Sequence, residues 1–373
     1  MTHDRHPHSA LRLGDTSLPL IDKARIYVCG VTPYDVTHLG HAATFVWVDA
    51  ATRVLRHIGI QTEVVRNVTD VDDVLTDAAR LANTPFDAYA AMHQFQFDHD
   101  MAALHVRRPD HEPRAHRYVP QVIALSQALL DSGAAYHRSG SVYFRGGTVP
   151  AAAGVSDEEA LALCAEFGEQ PGDPDKEHPL DVPVWRSSSA DQPSWPSPWG
   201  PGRPGWHAEC TAMALSVLGS SVDLHAGGGD LRFPHHAYES AQAEAATGVR
   251  PFARAWMHVG TVLVDGAKMA KSTGNLVLVE DLLRDHRAAA VRLLLLDRPW
   301  HAPWDYTLDL LDAAEQRLDS LYVAAGRRGD DEAAENAVVD RLLADLDVSG
   351  ALDLAVASGG SAARTLATVL ALS

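Results

Sequence analysis

His38-Leu39-Gly40-His41, taken together with Lys268-Met269-Ala270-Lys271-Ser272 far downstream, decides the fold of this chain. The first stretch follows a strand-like apolar run, Ala24–Cys29, and a turn, Gly30–Asp35, that contains Pro33. From His38 to Ile58 the apolar residues Phe45, Val46, Val48, Val54, Leu55 and Ile58 suit a helix. Gln61–Arg66 then reads as a second strand and Asp70–Leu81 as a second helix. A strand–helix–strand order with imidazoles at the first turn predicts a Rossmann-like, nucleotide-binding α/β sheet, because a helix N-terminus already favours anions. The second stretch is a Gly-flanked loop. The chain has four lysines, Lys23, Lys176, Lys268 and Lys271, and two of them fall in this one motif. That clustering suits a task for which arginine is no substitute, such as a compact ammonium beside phosphate oxygens.

Working outward, the pattern divides the chain into five segments. Residues 1–22 are a loose lead-in, and 23–84 form the first half of the sheet domain. Residues 85–182 read as a mostly helical insertion, with helical patterns at Phe86–Leu104 and Tyr118–Ser132 and a weak strand at Val142–Phe144. Residues 183–306 return to the sheet domain and carry the lysine loop; 307–373 form a C-terminal helical domain. Ser187–Gly205 reads as a loop, since its prolines remove backbone donors. The α/β pattern resumes at Ser221–His225 and Trp256–Val259.

Bulk composition narrows the function. At 373 residues and 46% hydrophobic, the chain can bury a large core. It has no long apolar run of membrane-spanning length, and Met1–Ala10 is polar and His-rich rather than signal-like. Three cysteines, Cys29, Cys164 and Cys210, make no disulfide framework and suit a reducing cytoplasm. A net charge of −18 opposes broad nucleic-acid binding, which needs clustered Lys and Arg. The expected partners are small molecules, with neither nucleic acid nor membrane, and the expected state is a monomer.

Cys29, Cys210, His235 and Glu239 are a second constellation. Cys29 ends the first strand, and His235 and Glu239 stand four apart on one helical face. Thiolate, thiolate, imidazole and carboxylate make a plausible zinc set. By spacing alone, buried apolar cysteines are the readier explanation, and His235 and His236 could equally cap or pack.

Several longer motifs resemble the cysteine branch of the class I aminoacyl-tRNA synthetase family. They are Tyr27-Val-Cys-Gly-Val-Thr-Pro-Tyr-Asp35, Asn67-Val-Thr-Asp-Val-Asp-Asp73, Gly202-Arg-Pro-Gly-Trp-His-Ala-Glu-Cys210 and Asp230-Leu-Arg-Phe-Pro-His-His236. Within that branch, Thr32-Pro-Tyr-Asp35 and His38-Leu-Gly-His-Ala-Ala-Thr44 resemble the mycothiol-pathway cysteine ligases more than the tRNA synthetases. The resemblance implies a class I catalytic domain that activates cysteine with ATP, with Mg2+ accompanying the nucleotide. It also implies one Zn2+ per chain, and an amino-sugar acceptor such as glucosaminyl-inositol. By the same resemblance Cys29, Cys210 and His235 match the zinc ligands, with Glu239 at the fourth position that the tRNA synthetases use. Gly30, Val31, Thr32, Thr44, Asn67, Val68, Thr69 and Trp206 match positions lining a cysteinyl-adenylate. Gly228, Gly229, Asp230 and Val262 match its nucleoside end, and His38, His41, Lys268 and Lys271 the phosphate-handling motifs. Three places depart from the pattern: Ala270 for a serine, Ala226 for a glycine, and the segment Glu166-Phe-Gly-Glu-Gln-Pro171.

This chemistry needs these residue types. Charge builds on phosphate oxygens as a carboxylate attacks the α-phosphorus, and imidazoles and ammoniums placed there stabilise it. Gly40 keeps the helix start open for adenine to approach. Cysteine differs from serine by one atom, which shape alone separates poorly, whereas a soft metal prefers sulfur strongly. Asp70, Asp72 and Asp73 are candidate bases for the acceptor amine, with helix capping as their simpler role. Two rival readings remain. One is a cysteinyl-tRNA synthetase or truncated paralogue, disfavoured by the short acidic tail (Asp330-Asp331-Glu332, Asp340, Asp345, Asp347). The other is a non-catalytic paralogue, disfavoured because both histidines and both lysines persist.

Overall fold

Lys23–Val31 (β1) lies at the centre of the fold because its run Ile26-Tyr27-Val28-Cys29 is buried on both faces. The computed structural model describes residues 10–373 apart from Asp35 and Asp191, so residues 1–9 of the expected lead-in and Asp35 of the first turn lie outside the described residues. Leu39–His57 (α1) follows β1 and leads to Gln61–Val68 (β2), which pairs with β1 in parallel. Asp73–Leu81 (α2) then begins the excursion that ends at Val222–Gly228 (β3) and Ala253–Val259 (β4). The sheet is parallel in the order β4–β3–β1–β2. The chain therefore leaves β1 on one side and returns on the other. The strand order reverses between β1 and β3, and ligands of such sheets bind outside the carboxyl ends of those two strands.

α1 is buried along most of its length, since the sheet covers one side and the Ala288–Leu296 helix the other. Arg292, fully buried, joins these layers: it pairs with Asp49 of α1 and donates to the carbonyls of Leu104 (3.0 Å) and Leu370 (2.6 Å). That staple ties the tail to the sheet domain. The tail is helical as expected, at Leu308–Ala325, Glu332–Leu343, Val348–Ser358 and Gly360–Val369.

The middle of the chain is richer in structure than expected. Its helices include Asp157–Glu166 (α3), and its sheet is antiparallel, in the order Ala135–Arg138, Ser141–Phe144, Val182–Ser187, Gly202–Pro204. This sheet runs across the expected boundary at residue 182. The expected loop Ser187–Gly205 contains the last of these strands, and its edge position tolerates Pro204. Trp206–Leu218 (α4) has no amphipathic signature because it is buried almost all round, between the sheet and the insertion; periodicity could not find it. Ala237–Thr247 (α5) follows an irregular turn at Arg232–His236. Among the described residues, no helix is long and apolar enough to cross a membrane.

Candidate active site

A cavity of about 520 Å3 opens at the carboxyl ends of β1 and β3. Its foot is lined by Cys29, Gly30, Asn67, Trp206, Cys210 and His235, with Val31, Thr32 and Thr69 beside them. Its far end is lined by His38, His41 and Thr44 of the α1 start, by Gly228, Gly229 and Asp230, and by Val262, Lys268 and Lys271. Of the residues matched to zinc-ligand, adenylate-lining and phosphate-handling positions, Val68 and Glu239 are absent from this lining. Val68 is spent inside the sheet, paired with Val31, and Glu239 is buried behind the foot.

The foot is built by chain crossings that leave little freedom. The β1–β2 ladder is irregular between Val28 and Val31, which takes Cys29 and Gly30 out of register. A Cβ at Gly30 would lie 1.7 Å from the Asn67 carbonyl oxygen, so only glycine fits. The Gly30 N–H donates to Asn67 Oδ1 (2.8 Å), and Asn67 Nδ2 donates to Cys210 Sγ (3.2 Å). Thr32 and Thr69 join hydroxyls at 2.8 Å. Cys29, Cys210, His235 and Glu239 place their donor atoms within 4.8 Å of one another, all buried. Glu239 Oε1 is 2.9 Å from His235 Nε2, and its Oε2 is 3.2 Å from His225 Nε2. A second set, Cys29, His225, His236 and Glu239, meets the same 4.8 Å limit and shares two members with the first.

Electrostatics suit a cation in this cluster. Burial opposes charge on His235, yet Glu239 and Cys210 raise it to about 10. Burial likewise works against Glu239, but His235 holds its carboxyl below the usual value. Burial, with Cys210 and Glu239 beside it, pushes the Cys29 thiol well up. For Cys210 burial is outweighed by the Cys29 hydrogen bond and the charge of His235, and the thiol lies lower than usual. Burial pushes His225 down to about 4 and keeps His207 and His236 neutral as well. Two sulfurs, neutral imidazoles and a carboxylate converge here, in a network where one proton on His235 provides the positive charge. A soft divalent metal fits this donor set and would take that proton's place.

Aromatic rings wall the foot. Trp206 opens α4 and stacks on His235, with centroids 3.9 Å apart and planes 16° apart. His207 Nδ1 lies 2.8 Å from His235 Nδ1 and fixes the other side of that ring.

The far end is more exposed. His38 caps α1: its Nδ1 accepts from the Gly40 N–H (3.1 Å). The His38 and His41 rings stack at 3.8 Å. A Cβ at Gly40 would sit 3.0 Å from the His38 ring, so the close approach this glycine permits is to the capping imidazole. Lys268 pairs with Asp230, both partly exposed, and its Nζ lies 5.8 Å from the Phe167 ring centroid. Asn275 braces the lysine loop, accepting from Ala270 N (2.9 Å) and donating to the Lys268 carbonyl (3.2 Å).

The three aspartates after Thr69 have structural partners. Asp72 caps α2 by accepting from Leu75 N (3.0 Å). Asp73 takes a two-pronged contact from Arg203 (3.0 and 2.9 Å), and Asp70 accepts from the backbone N–H of His116 (3.0 Å) and meets its ring. Ala226 is a buried mid-strand residue paired with Val28 and Met257, so its departure from glycine falls in the core. The Glu166–Pro171 departure does reach the site: Phe167 stacks near Trp206 at 6.1 Å, and Glu169 is buried 3.1 Å from Arg186. Sequence reasoning missed His225 and His236 at the candidate metal-binding cluster. It also missed His93, Phe97 and Leu276 in the lining. The alternation along β3 was the one signal that pointed His225 to the same face as Gly227.

Comparison with known proteins identifies the family. The family described as tRNA synthetases class I (C) catalytic domain matches residues 19–316. An L-cysteine:1D-myo-inositol 2-amino-2-deoxy-alpha-D-glucopyranoside ligase of Acidothermus cellulolyticus is 46% identical over 339 residues, spanning 89% of this chain and 83% of that protein. A ligase of the same name from Frankia alni is 45% identical, spanning 88% and 81%. A cysteine–tRNA ligase of Alkalilimnicola ehrlichii is 44% identical, spanning 80% and 65%. In structure, methionyl-tRNA synthetase of Mycobacterium tuberculosis bound by methionyl-adenylate superposes with a TM-score of 0.66 at 16% identity, over 93% of this chain and 84% of that one; this shows the shared fold. The chain belongs to the family of class I (C) tRNA synthetase catalytic domains.

Proposed function

We propose that this chain is an AMP-forming cysteine ligase. It activates L-cysteine with ATP to cysteinyl-adenylate and passes the cysteinyl group to the amine of glucosaminyl-inositol, a step of mycothiol biosynthesis in the cytoplasm. The observation that carries this reading is the junction, in one cavity, of a buried two-sulfur cluster and the paired His and Lys motifs. The names of the relatives that span most of this chain support the choice of acceptor.

Cys29, Cys210 and His235 would hold one Zn2+, with Glu239 as the fourth donor; the other candidate donor set shares Cys29 and Glu239 with this one. When bound, the metal supplies a preference for a thiolate over a hydroxyl. Every other task falls to the chain itself. Trp206 and the Thr32–Thr69 pair wall the amino acid, and Asn67 holds Gly30 and Cys210 in place around it. Gly228, Gly229 and Val262 receive the nucleoside.

In the first step a carboxylate oxygen of cysteine forms a bond to the α-phosphorus of ATP. The bond to the bridging oxygen breaks, and Mg2+-pyrophosphate leaves with the electron pair. His38 and His41 donate to the phosphates from the α1 start, and Lys268 and Lys271 meet the growing charge on pyrophosphate. Lys268 must first leave Asp230 to do so. In the second step the amine nitrogen attacks the carbonyl carbon, a C–N bond forms, the C–O bond to phosphate breaks and AMP leaves; the surplus amine proton passes to solvent. No enzyme nucleophile is needed, and Cys164 is buried in the insertion core.

Mass detection of products tests this reading. Purified protein supplied with ATP, cysteine and a panel of amino sugars should form the cysteinyl amide of glucosaminyl-inositol. Charging of total tRNA with cysteine, and no amide, would instead identify the chain as a tRNA ligase. An amide on a different amino sugar would move it to another pathway.

A further inference from the structure

We infer that Phe167, carried by the insertion, is the residue that selects the acceptor: its ring is the platform on which the acceptor's sugar ring packs. This rests on the cysteine-ligase reading above and adds a residue to it. α3 ends at Glu166, and the chain then turns sharply through Gly168, which takes a left-handed conformation (φ 82°), as Glu169 N returns to the Cys164 carbonyl (2.9 Å). Glu169 is drawn inward, where its carboxylate meets Arg186 (3.1 Å) and lies 3.7 Å from His207 Nε2 and 3.9 Å from Lys176 Nζ. Anchoring of Glu169 leaves Phe167 half-buried beside the lining residue Trp206, on which it stacks with centroids 6.1 Å apart and planes 21° apart. A column results: His235 at the metal cluster, then Trp206, then Phe167, then the Lys268 ammonium.

The reacting bond of a cysteinyl-adenylate must lie between the sulfur-binding foot and the phosphate-binding end. Trp206 belongs to the first and Lys268 to the second, and Phe167 touches both. An amine that attacks that carbonyl passes this ring. The C–H face of a pyranose is apolar and packs on an aromatic face, while its hydroxyls remain in water. The Lys268 ammonium lies over the ring, 5.8 Å from its centroid. Its turn toward the triphosphate clears room for the sugar, so the acceptor platform opens after ATP is engaged. The sheet elements thus carry activation, and the insertion carries acceptor choice.

Phe167→Leu keeps apolar volume and removes the ring face; Phe167→Tyr keeps the face. Both are assayed for amide formation with glucosaminyl-inositol as the varied substrate and for cysteine-dependent ATP–pyrophosphate exchange. In Phe167→Leu, kcat/KM for the acceptor should fall about tenfold further than exchange does, mostly through KM. Phe167→Tyr should return that ratio to within about threefold of the wild type. Equal losses in both assays, an unchanged acceptor KM in Phe167→Leu, or failure of Phe167→Tyr to restore the ratio would each overturn the inference. Wild-type protein that makes no amide at all would overturn the ligase reading itself, and this inference with it.

Discussion

The two ends of the cavity are built on opposite plans. At the foot, Cys29, Cys210, His235 and Glu239 are all buried, each comes from or beside a core element, and each has fixed partners. At the far end Lys268 is about half exposed and paired with Asp230, and Lys271 lies on a short turn of the same loop. The difference teaches where precision is needed. Telling sulfur from oxygen requires donor atoms held to a few tenths of an ångström before substrate arrives. Handling a triphosphate that binds, bends and leaves requires charges that move.

Substitutions at either end should separate the two plans. The largest effect is expected from Cys210→Ser: the protein should lose its metal by elemental analysis, and cysteine-dependent ATP–pyrophosphate exchange should fall by at least about 100-fold. Next comes Lys271→Ala, which should lower exchange about 100-fold while the metal content stays at the wild-type value. A metal loss in that variant would show the ends to be coupled. Gly30→Ala forces a Cβ to 1.7 Å from the Asn67 carbonyl and so must move β1 against β2. A destabilisation of about 1–3 kcal/mol is expected in denaturant unfolding, with weakened metal retention. The smallest effect is expected at the exposed end, from Ala270→Ser. One added hydroxyl on the cavity lining, worth about 1 kcal/mol, should raise exchange turnover a few-fold; no change or a drop would contradict it.

The same contrast decided what could be read from the sequence. The β1–α1–β2 unit was legible because its apolar runs and helical period are local, and the structure extends Ala24–Cys29 only to Lys23–Val31. The His and Lys motifs were legible because a motif that meets a mobile ligand keeps a compact linear form. α4 was not, because a helix buried all round has no polar face to set its period. The strand Gly202–Pro204 was hidden by prolines that an edge position accepts. At the metal cluster, Cys29 and Cys210 lie far apart in the chain, and only the fold brings them together. His225 and His236 were missed for the same reason, and so was the place of Phe167 beside Trp206. For Asp70, Asp72 and Asp73 the simpler reading holds: Asp72 caps a helix as expected, while Asp73 meets an arginine and Asp70 a histidine.

The most direct test of the central claim is metal analysis of the purified protein combined with ATP–pyrophosphate exchange driven by cysteine or by serine. One zinc per chain, exchange with cysteine that chelation abolishes and zinc restores, and at most trace exchange with serine are the predicted results. Equal exchange with serine, or full exchange with cysteine in metal-free protein, would contradict the account.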